Sequence, residues 1–281
     1  MIKSDFLNLL ACPFCKGKVE SVSDSEDLVC LKCQQSFQVY NNIPVMSVRK
    51  IDLPPMKKND QNEDLFSSST VYHLEELEIA CNPQHPAHIM PEFKPEHEVI
   101  LDIGCGVGQT YVAAELNSEN KRMLVGLDID IEAMNYGSNH YENINYVNAF
   151  GDDLPIQSES VDLLISRVSL LYTNIPTAFN EIHRVLKPGG EIWITLNPMH
   201  KQMQNLIKAI KRLSIKGVIA RSFVMLNGVI FHFFGKVFPF PIVGGYESYQ
   251  SEKAIRRLLE KKGFSNIKIS NGTHFLITAT K

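Results

Sequence analysis

The sequence has no uninterrupted apolar run of the roughly 18 residues that a spanning helix needs, so no transmembrane segment is expected. Residues 1–15, MIKSDFLNLLACPFC, contain a single lysine and a short apolar stretch broken by Asn8, without the long apolar core of a signal peptide. A surplus of charge is missing too. The 28 Lys and Arg nearly balance 31 Asp and Glu, and a net charge of −3 excludes a protein that coats nucleic acid by bulk charge. At 44% hydrophobic residues the chain is not depleted enough in apolar side chains to be disordered. Cysteine is nearly absent outside one short segment, where only Cys81 and Cys105 occur. The expectation is a cytoplasmic, globular chain of 281 residues with one large domain or two unequal ones.

The remaining four cysteines fall within 22 positions, as Cys12-Pro-Phe-Cys15 and Cys30-Leu-Lys-Cys33. A pair two residues apart on a tight turn directs both thiolates at one ion, and two such pairs complete zinc's tetrahedral shell. Two disulfides would need a secretory context, and a thioredoxin-like redox pair does not come as two facing knuckles. Structural zinc held by Cys12, Cys15, Cys30 and Cys33 is the reading that the spacing favours. With four protein ligands no position is left for water, so the ion acts as a staple and not as a catalyst.

Composition divides the rest of the chain. Residues 1–48 read as a zinc ribbon, and residues 49–70, with adjacent prolines, mixed charges and a serine run, read as a linker. From residue 71 a helical segment is followed by four prolines. Short apolar runs (EVILDI, RMLVGLDI, INYVNA, VDLLISR, EIWITL) then alternate with segments of helical spacing near 109–118, 131–140 and 176–186. Continuous apolar strands mark a parallel sheet covered on both faces, so residues 71–281 are expected to form an α/β domain. A final helix precedes two strands around Asn271-Gly272, which predicts an antiparallel hairpin closed by a type I′ turn.

The first strand runs into Asp102-Ile-Gly104-Cys-Gly106-Val-Gly108-Gln-Thr. Alternating glycines let backbone approach a ligand where a Cβ would collide. A dinucleotide fingerprint would need its third glycine where Gln109 stands. Asp128 ends the second strand, where a carboxylate accepts from adjacent ribose hydroxyls and repels a 2′-phosphate.

Over residues 70–281 the chain resembles the class I S-adenosylmethionine-dependent methyltransferases, of the ubiquinone/menaquinone-methyltransferase-like type 11. The resemblance rests on VILDIGCGVGQT, VGLDI, DDLPIQSESVDLLIS and AFNEIHRVLKPGGEIWI in that order, and on the terminal hairpin. It implies a Rossmann-like doubly wound sheet with a C-terminal antiparallel hairpin, and S-adenosyl-L-methionine as cofactor. By that resemblance Gly104, Gly106 and Gly108 line the methionine and ribose, Asp102 receives the amino group and Asp128 holds the ribose hydroxyls. Ser166 and Arg167 stand where the family's loop passes the methionine end. Phe150 occupies the position of the family's adenine-binding aspartate, leaving that role to backbone or to Asp152. No residue declares itself a general base. The amino-group DNA methyltransferase motif is missing, and Cys105 lies inside the cofactor loop, where it cannot serve pyrimidine C5 chemistry.

Two segments are expected to shape the acceptor site. Residues 72–97 hold His73, His85, His88 and His97, read as lid and surface histidines in preference to a second metal site, with Tyr72 or His73 gating the pocket. Residues 192–250 read as a cap. Between 192 and 246 there is no Asp or Glu, seven Lys or Arg, and six of the fifteen phenylalanines. The helical spacing of Met203, Leu206, Ile207, Ile210 and Leu213 predicts an amphipathic helix with a basic face. The 14 residues between Arg221 and Lys236, interrupted by Asn227 and His232, are too short to span a bilayer. A cap helix packed on the sheet, a pocket for an apolar acceptor with peripheral membrane contact, and RNA held by the lysines remain open.

The expected activity is methyl transfer to a small or lipid-like acceptor. The alternative is a ribosomal or transfer RNA base methyltransferase that positions RNA with its ribbon. Residues 7–46 resemble the four-cysteine ribbon proteins that activate transfer RNA and translation-factor methyltransferases, and a ribbon before this domain resembles the 23S rRNA guanine-N1 enzymes. A non-catalytic zinc-ribbon adaptor is the reading from a different class.

Overall fold

Two short, cysteine-punctuated turns organise the N-terminal segment. The computed structural model describes residues 2–22, 27–50, 53, 67–118, 121–196, 199–241 and 245–281. Helix α1 (Ser4–Leu9) leads to a three-stranded sheet of β1 (Val19–Ser21), β2 (Leu28–Cys30) and β3 (Ser36–Phe37). A small hairpin of β4 (Val39–Tyr40) and β5 (Ile43–Pro44) follows. Each Cys-x-x-Cys turn closes alike: Lys16 N donates to Cys12 O at 2.8 Å and Gln34 N to Cys30 O at 2.9 Å. Lys16 and Gln34 both take a left-handed φ, 57° and 60°.

This segment shares its core with the larger domain. Phe6, Leu10, Val19 and Leu28 belong to the same buried cluster as Val147, Leu154 and Ile156. Backbone bonds join the two: Ala11 N to Pro155 O at 2.9 Å, Gln157 N to Leu9 O at 2.9 Å, and Met46 N to Asn148 O at 2.8 Å. Lys16 pairs with Glu181 at 2.7 Å. Most of the linker expected over 49–70 lies outside the described residues, and Ser68–Thr70 form the first turn of α2 (Ser68–Cys81).

The larger domain is the expected α/β sandwich. Its strands are β6 (Val99–Ile103), β7 (Met123–Asp128), β8 (Ile144–Asn148), β9 (Val161–Arg167), β10 (Leu186–Leu196), β11 (Ser265–Asn271) and β12 (Phe275–Thr280). They form one seven-stranded sheet of order β11-β12-β10-β9-β6-β7-β8, parallel except for β12, which is antiparallel to both neighbours. The intervening helices are α3 (Gln109–Ala113), α4 (Ile131–His140), α5 (Ile175–Val185), α6 (Met199–Lys211), α7 (Ile215–Phe234) and α8 (Glu252–Lys261). Chain order reverses between β6 and β9, so the loops after these two strands flank the crevice where ligands of doubly wound sheets bind.

Two local expectations change. Asn271 pairs with Phe275, so Gly272, Thr273 and His274 form a three-residue loop. Neither Asn271 nor Gly272 takes the positive φ that a type I′ turn requires. The apolar interval after Arg221 lies within α7, a helix of 20 residues whose mean hydropathy reaches 1.5. By length and composition alone α7 is long enough to cross a bilayer, which corrects the sequence argument that no such segment exists. Its fit to the protein argues differently. Asn227 is buried, donating to Phe238 O and Glu247 O at 3.0 Å and accepting from Phe238 N at 2.9 Å, and Phe231 lies in the main core.

Candidate functional site

The glycine loop leaves β6 at the sheet's reversal point. Gly104, Gly106 and Gly108 have φ of 78°, 52° and 93°, a region that disfavours any side chain. Close packing adds a second requirement at two of them. A Cβ on Gly104 would lie 2.2 Å from Ser169 Cβ, and one on Gly106 would lie 2.2 Å from His73 Nδ1. Helix α2 thus covers the loop. It is tied down beyond it as well, because Ser69 Oγ donates to Asp130 and His73 Nε2 lies 3.6 Å from the same carboxylate. Of Tyr72 and His73, the two residues expected to gate the pocket, His73 is the one packed on Gly106.

Asp128 braces the loop from the end of β7. Its Oδ2 accepts from Gly106 N at 2.8 Å and its Oδ1 from Asp130 N at 3.0 Å. Burial raises its carboxyl above the usual range, with the two backbone donors opposing. Asp102 is 1% exposed, and neither of its carboxylate oxygens has a hydrogen-bond partner of adequate geometry. Burial pushes its carboxyl up to about 7, against the opposing influence of Thr110 and Arg167. Unpaired buried carboxylate oxygens are costly. Other polar atoms around this loop are unpaired too: His73 Nδ1, Gln109 Oε1 and Arg167 Nη1. Side-chain donors and acceptors left unsatisfied around one crevice fit a polar ligand carrying a cationic amino group and hydroxyls, as S-adenosylmethionine does.

Ser166 and Arg167 close β9. Ser166 is buried and bonded to Ser169 Oγ at 2.7 Å, and Ser169 donates to Ile103 O at 2.7 Å. Val168, a β-branched residue, takes a φ of 59° here, local strain of the kind that clusters at functional sites. Arg167 Nη2 reaches Glu76 on α2 at 3.9 Å. Partial burial, Glu76 and Tyr172 push the Tyr72 phenol up, while Arg167 opposes them. Burial likewise lowers His274, with Lys201 and Arg167 contributing. Glu76 and His274 cannot be found from sequence because the tertiary fold alone brings Glu76 on α2 to Arg167 and His274 within reach of its charge. The 3,4,3 spacing of Thr70, His73, Leu77 and Ala80 was the available sign of a covering helix face.

Phe150 and Asp152 are also together, but both are engaged by the ribbon's end. The Arg49 guanidinium lies 3.6 Å over the Phe150 ring. Arg49 also donates to Asp152 and, at 3.5 Å, to Asp153. The second oxygen of Asp152 accepts from Asn174 N at 3.2 Å. Cys105 is fully buried, and burial pushes its thiol up, which makes it a poor nucleophile.

The four ribbon cysteines converge. Their sulfurs all lie within 4.8 Å of one another, with Cys12 to Cys33 at 3.6 Å and Cys15 to Cys30 at 3.4 Å. A tetrahedron of thiolates at about 2.3 Å from zinc has edges of about 3.8 Å, so the donor set fits that ion. Among the described residues no group of three or more donors includes His73, His85, His88 or His97. His97 is instead structural: its Nδ1 accepts from Lys94 N at 3.1 Å and its Nε2 lies 3.4 Å from Glu191.

Two segments of the chain match known families. Residues 101–194 match the family described as methyltransferase domain, and residues 3–42 match the Trm112p-like protein family. A malonyl-(acyl-carrier protein) O-methyltransferase of Marinomonas sp. (strain MWYL1) is 34% identical over 101 residues, 34% of this chain and 36% of that protein. The mitochondrial arginine-hydroxylase NDUFAF5 of Mus musculus is 40% identical over 94 residues, 32% of this chain and 26% of that protein. A demethylmenaquinone methyltransferase of Chlorobaculum parvum is 24% identical over 196 residues, 65% of this chain and 73% of that protein. The chain spans about a third of the length of the first of these relatives and about a quarter of the second. Residues 101–194 are thus similar to methyltransferase domains, and residues 3–42, which precede them, are similar to Trm112p-like proteins.

Proposed function

We propose that the chain transfers a methyl group from S-adenosylmethionine to a small or lipid-like acceptor, with zinc on Cys12, Cys15, Cys30 and Cys33 as a structural staple. The observation that carries this reading is the buried, unpaired Asp102 beneath a glycine loop braced by Asp128. The cofactor supplies an electrophilic sulfonium methyl, so the protein's contribution is alignment and exclusion of water. Asp102 holds the cofactor's ammonium, Asp128 its ribose hydroxyls, and Gly104, Gly106 and Gly108 admit it at close range. Helix α2 closes over it through His73. Arg167, Glu76 and Tyr72 border the acceptor. Phe150 and Asp152 lie on the adenine side, where Arg49 orders them. The small or lipid-like class is supported by the relatives named for malonyl-(acyl-carrier protein) and demethylmenaquinone, and by the apolar residues of the cap.

The role of Asp102 gives a pH signature. Its carboxyl is raised to about 7 in the free protein, and holding an ammonium requires the ionised form. Cofactor affinity should therefore be full above about pH 7 and fall by nearly tenfold for each pH unit below it. Asp102→Asn should bind weakly with a flat profile over the same range. Calorimetric titration between pH 5.5 and 8, with ~0.5-unit steps, resolves such a slope, and an unchanged slope in the variant would remove the assignment.

The acceptor is tested by supplying methyl-labelled cofactor and purified protein to an extract of cells lacking the gene. Label in the organic phase supports the proposed class. Label in ribonuclease-sensitive material transfers the reading to RNA, and no cofactor binding at all leaves the adaptor.

A further inference from the structure

A helix that caps a sheet turns its apolar stripe inward, and α6 and α7 do the reverse. On α6 only Gln202 is buried, whereas Met199, Met203, Ile207 and Ile210, one stripe at helical spacing, are exposed. On α7 the exposed stripe is Ile215, Ile219, Leu226, Val229 and Phe233, and the opposite side is the one that packs through Val224, Asn227, Gly228 and Phe231. The turn between the helices is the most apolar point of all, with Leu213 88% and Ile215 76% exposed. Of 19 large apolar side chains exposed among the described residues, 12 lie between Met199 and Phe238. Scattered exposed leucines are ordinary, but a contiguous concentration marks an interaction surface.

Charge identifies what covers it. Lys201, Lys208, Lys211, Arg212, Lys216 and Lys236 are all exposed around these stripes, and residues 192–246 contain no carboxylate side chain. The chain as a whole is net negative at −3, so the uncompensated cations of this segment stand against an acidic remainder. Apolar side chains ringed by cations, with Lys211, Arg212 and Lys216 flanking the exposed turn, complement an anionic lipid surface, where the apolar groups enter the acyl boundary and the cations meet headgroups. Crossing the bilayer is a different matter. The polar pairings of Asn227 hold α7 to Phe238 and Glu247, and a Cβ on Gly228 would lie 2.2 Å from the Tyr249 ring, so the inner face of α7 is already occupied by protein.

We propose that the α6–α7 hairpin docks the protein peripherally on anionic membranes, inserting Leu213, Ile215 and the exposed stripes into the interface. The inner side of α7 is further fixed by Arg221, which pairs with Glu247 at 2.8 Å. The inference stands on the hairpin itself and not on the methyl-transfer reading.

The test is co-sedimentation of the full chain with phosphatidylcholine vesicles, with and without about one-third phosphatidylglycerol. Cofactor binding and circular dichroism on the same samples verify folding. Partition should be at least about tenfold stronger onto the anionic vesicles and should weaken with salt. The double variant Leu213→Asp, Ile215→Asp changes only exposed side chains and should lose at least about tenfold. Lys208→Gln with Lys211→Gln and Lys216→Gln should abolish the preference for anionic lipid. Folded, cofactor-binding protein that ignores anionic vesicles overturns the docking proposal and leaves methyl transfer untouched. Binding that resists salt and alkaline carbonate means a spanning helix and overturns it as well. Loss of transfer RNA binding or of a dimer in these variants, without vesicle binding, hands the surface to RNA or to a second copy.

Discussion

Asp128→Ala should weaken S-adenosylmethionine binding by at least about a hundredfold while leaving the chain folded. Two losses add. A carboxylate accepting from two ribose hydroxyls contributes roughly 1.5–3 kcal/mol per charge-assisted bond. The same carboxylate also holds Gly106 N at 2.8 Å and Asp130 N at 3.0 Å, so the loop and the start of α4 lose their brace. The ribose bonds alone correspond to two or more orders of magnitude in affinity. Asp128→Asn keeps the shape and one acceptor oxygen and should fall between the two. Calorimetry on all three proteins decides it. An alanine variant whose affinity lies within about threefold of the parent would move the ribose to another residue.

Cys12→Ser, or removal of the metal by a chelator, should lower the melting temperature of the whole chain by on the order of 10 °C in one transition. A zinc ribbon of this size has little core of its own, so metal binding is part of its folding free energy. Here the loss does not stay local. Phe6, Leu10, Val19 and Leu28 are buried in the cluster that also contains Val147, Leu154 and Ile156. Uncovering even two leucine-sized side chains costs about 3–6 kcal/mol, and each kcal/mol shifts the midpoint by about 2–4 °C in a domain of this size. Differential scanning calorimetry with metal analysis on the same sample provides the test. Two separate transitions, with the upper one unmoved, would show that the ribbon folds apart from the sheet.

What the sequence disclosed and what it hid divide along range. Strands β6, β7 and β9 were legible because parallel strands buried on both faces are written as unbroken apolar runs. The cysteine cluster was legible because its geometry is set by two-residue spacings. The alternating glycines were legible because backbone that must meet a ligand tolerates nothing else. Contacts between distant segments left no such mark. Nothing adjacent in sequence announces that Arg49 stacks on Phe150, that His73 abuts Gly106, or that Arg167 and His274 influence one another. The α6 stripe was read correctly as amphipathic, yet periodicity reports only that a helix has an apolar face, not whether protein covers it. The length of α7 was misjudged for a related reason: Arg221 looked like a boundary, but it is a residue within the helix, paired with Glu247 from a later loop. Asn-Gly suggested a two-residue turn, and the pairing of Asn271 with Phe275 lengthened it by one.

The register of the ribbon's last residues against β8 has a consequence for handling this protein. A seven-stranded open sheet has two raw margins, and exposed strand margins invite neighbouring molecules to add their own strands. The margin at β11 is guarded by its own composition, because Ser265, Asn266, Lys268 and Ser270 are polar or charged. The margin at β8 instead relies on Val45 and Met46, which meet Asn148 in parallel alignment. A fragment cut downstream of the ribbon would bare that side together with the apolar faces of Val147 and Ile156. It would tend to self-associate through its sheets, so the small N-terminal unit serves the large one as a built-in solubility guard.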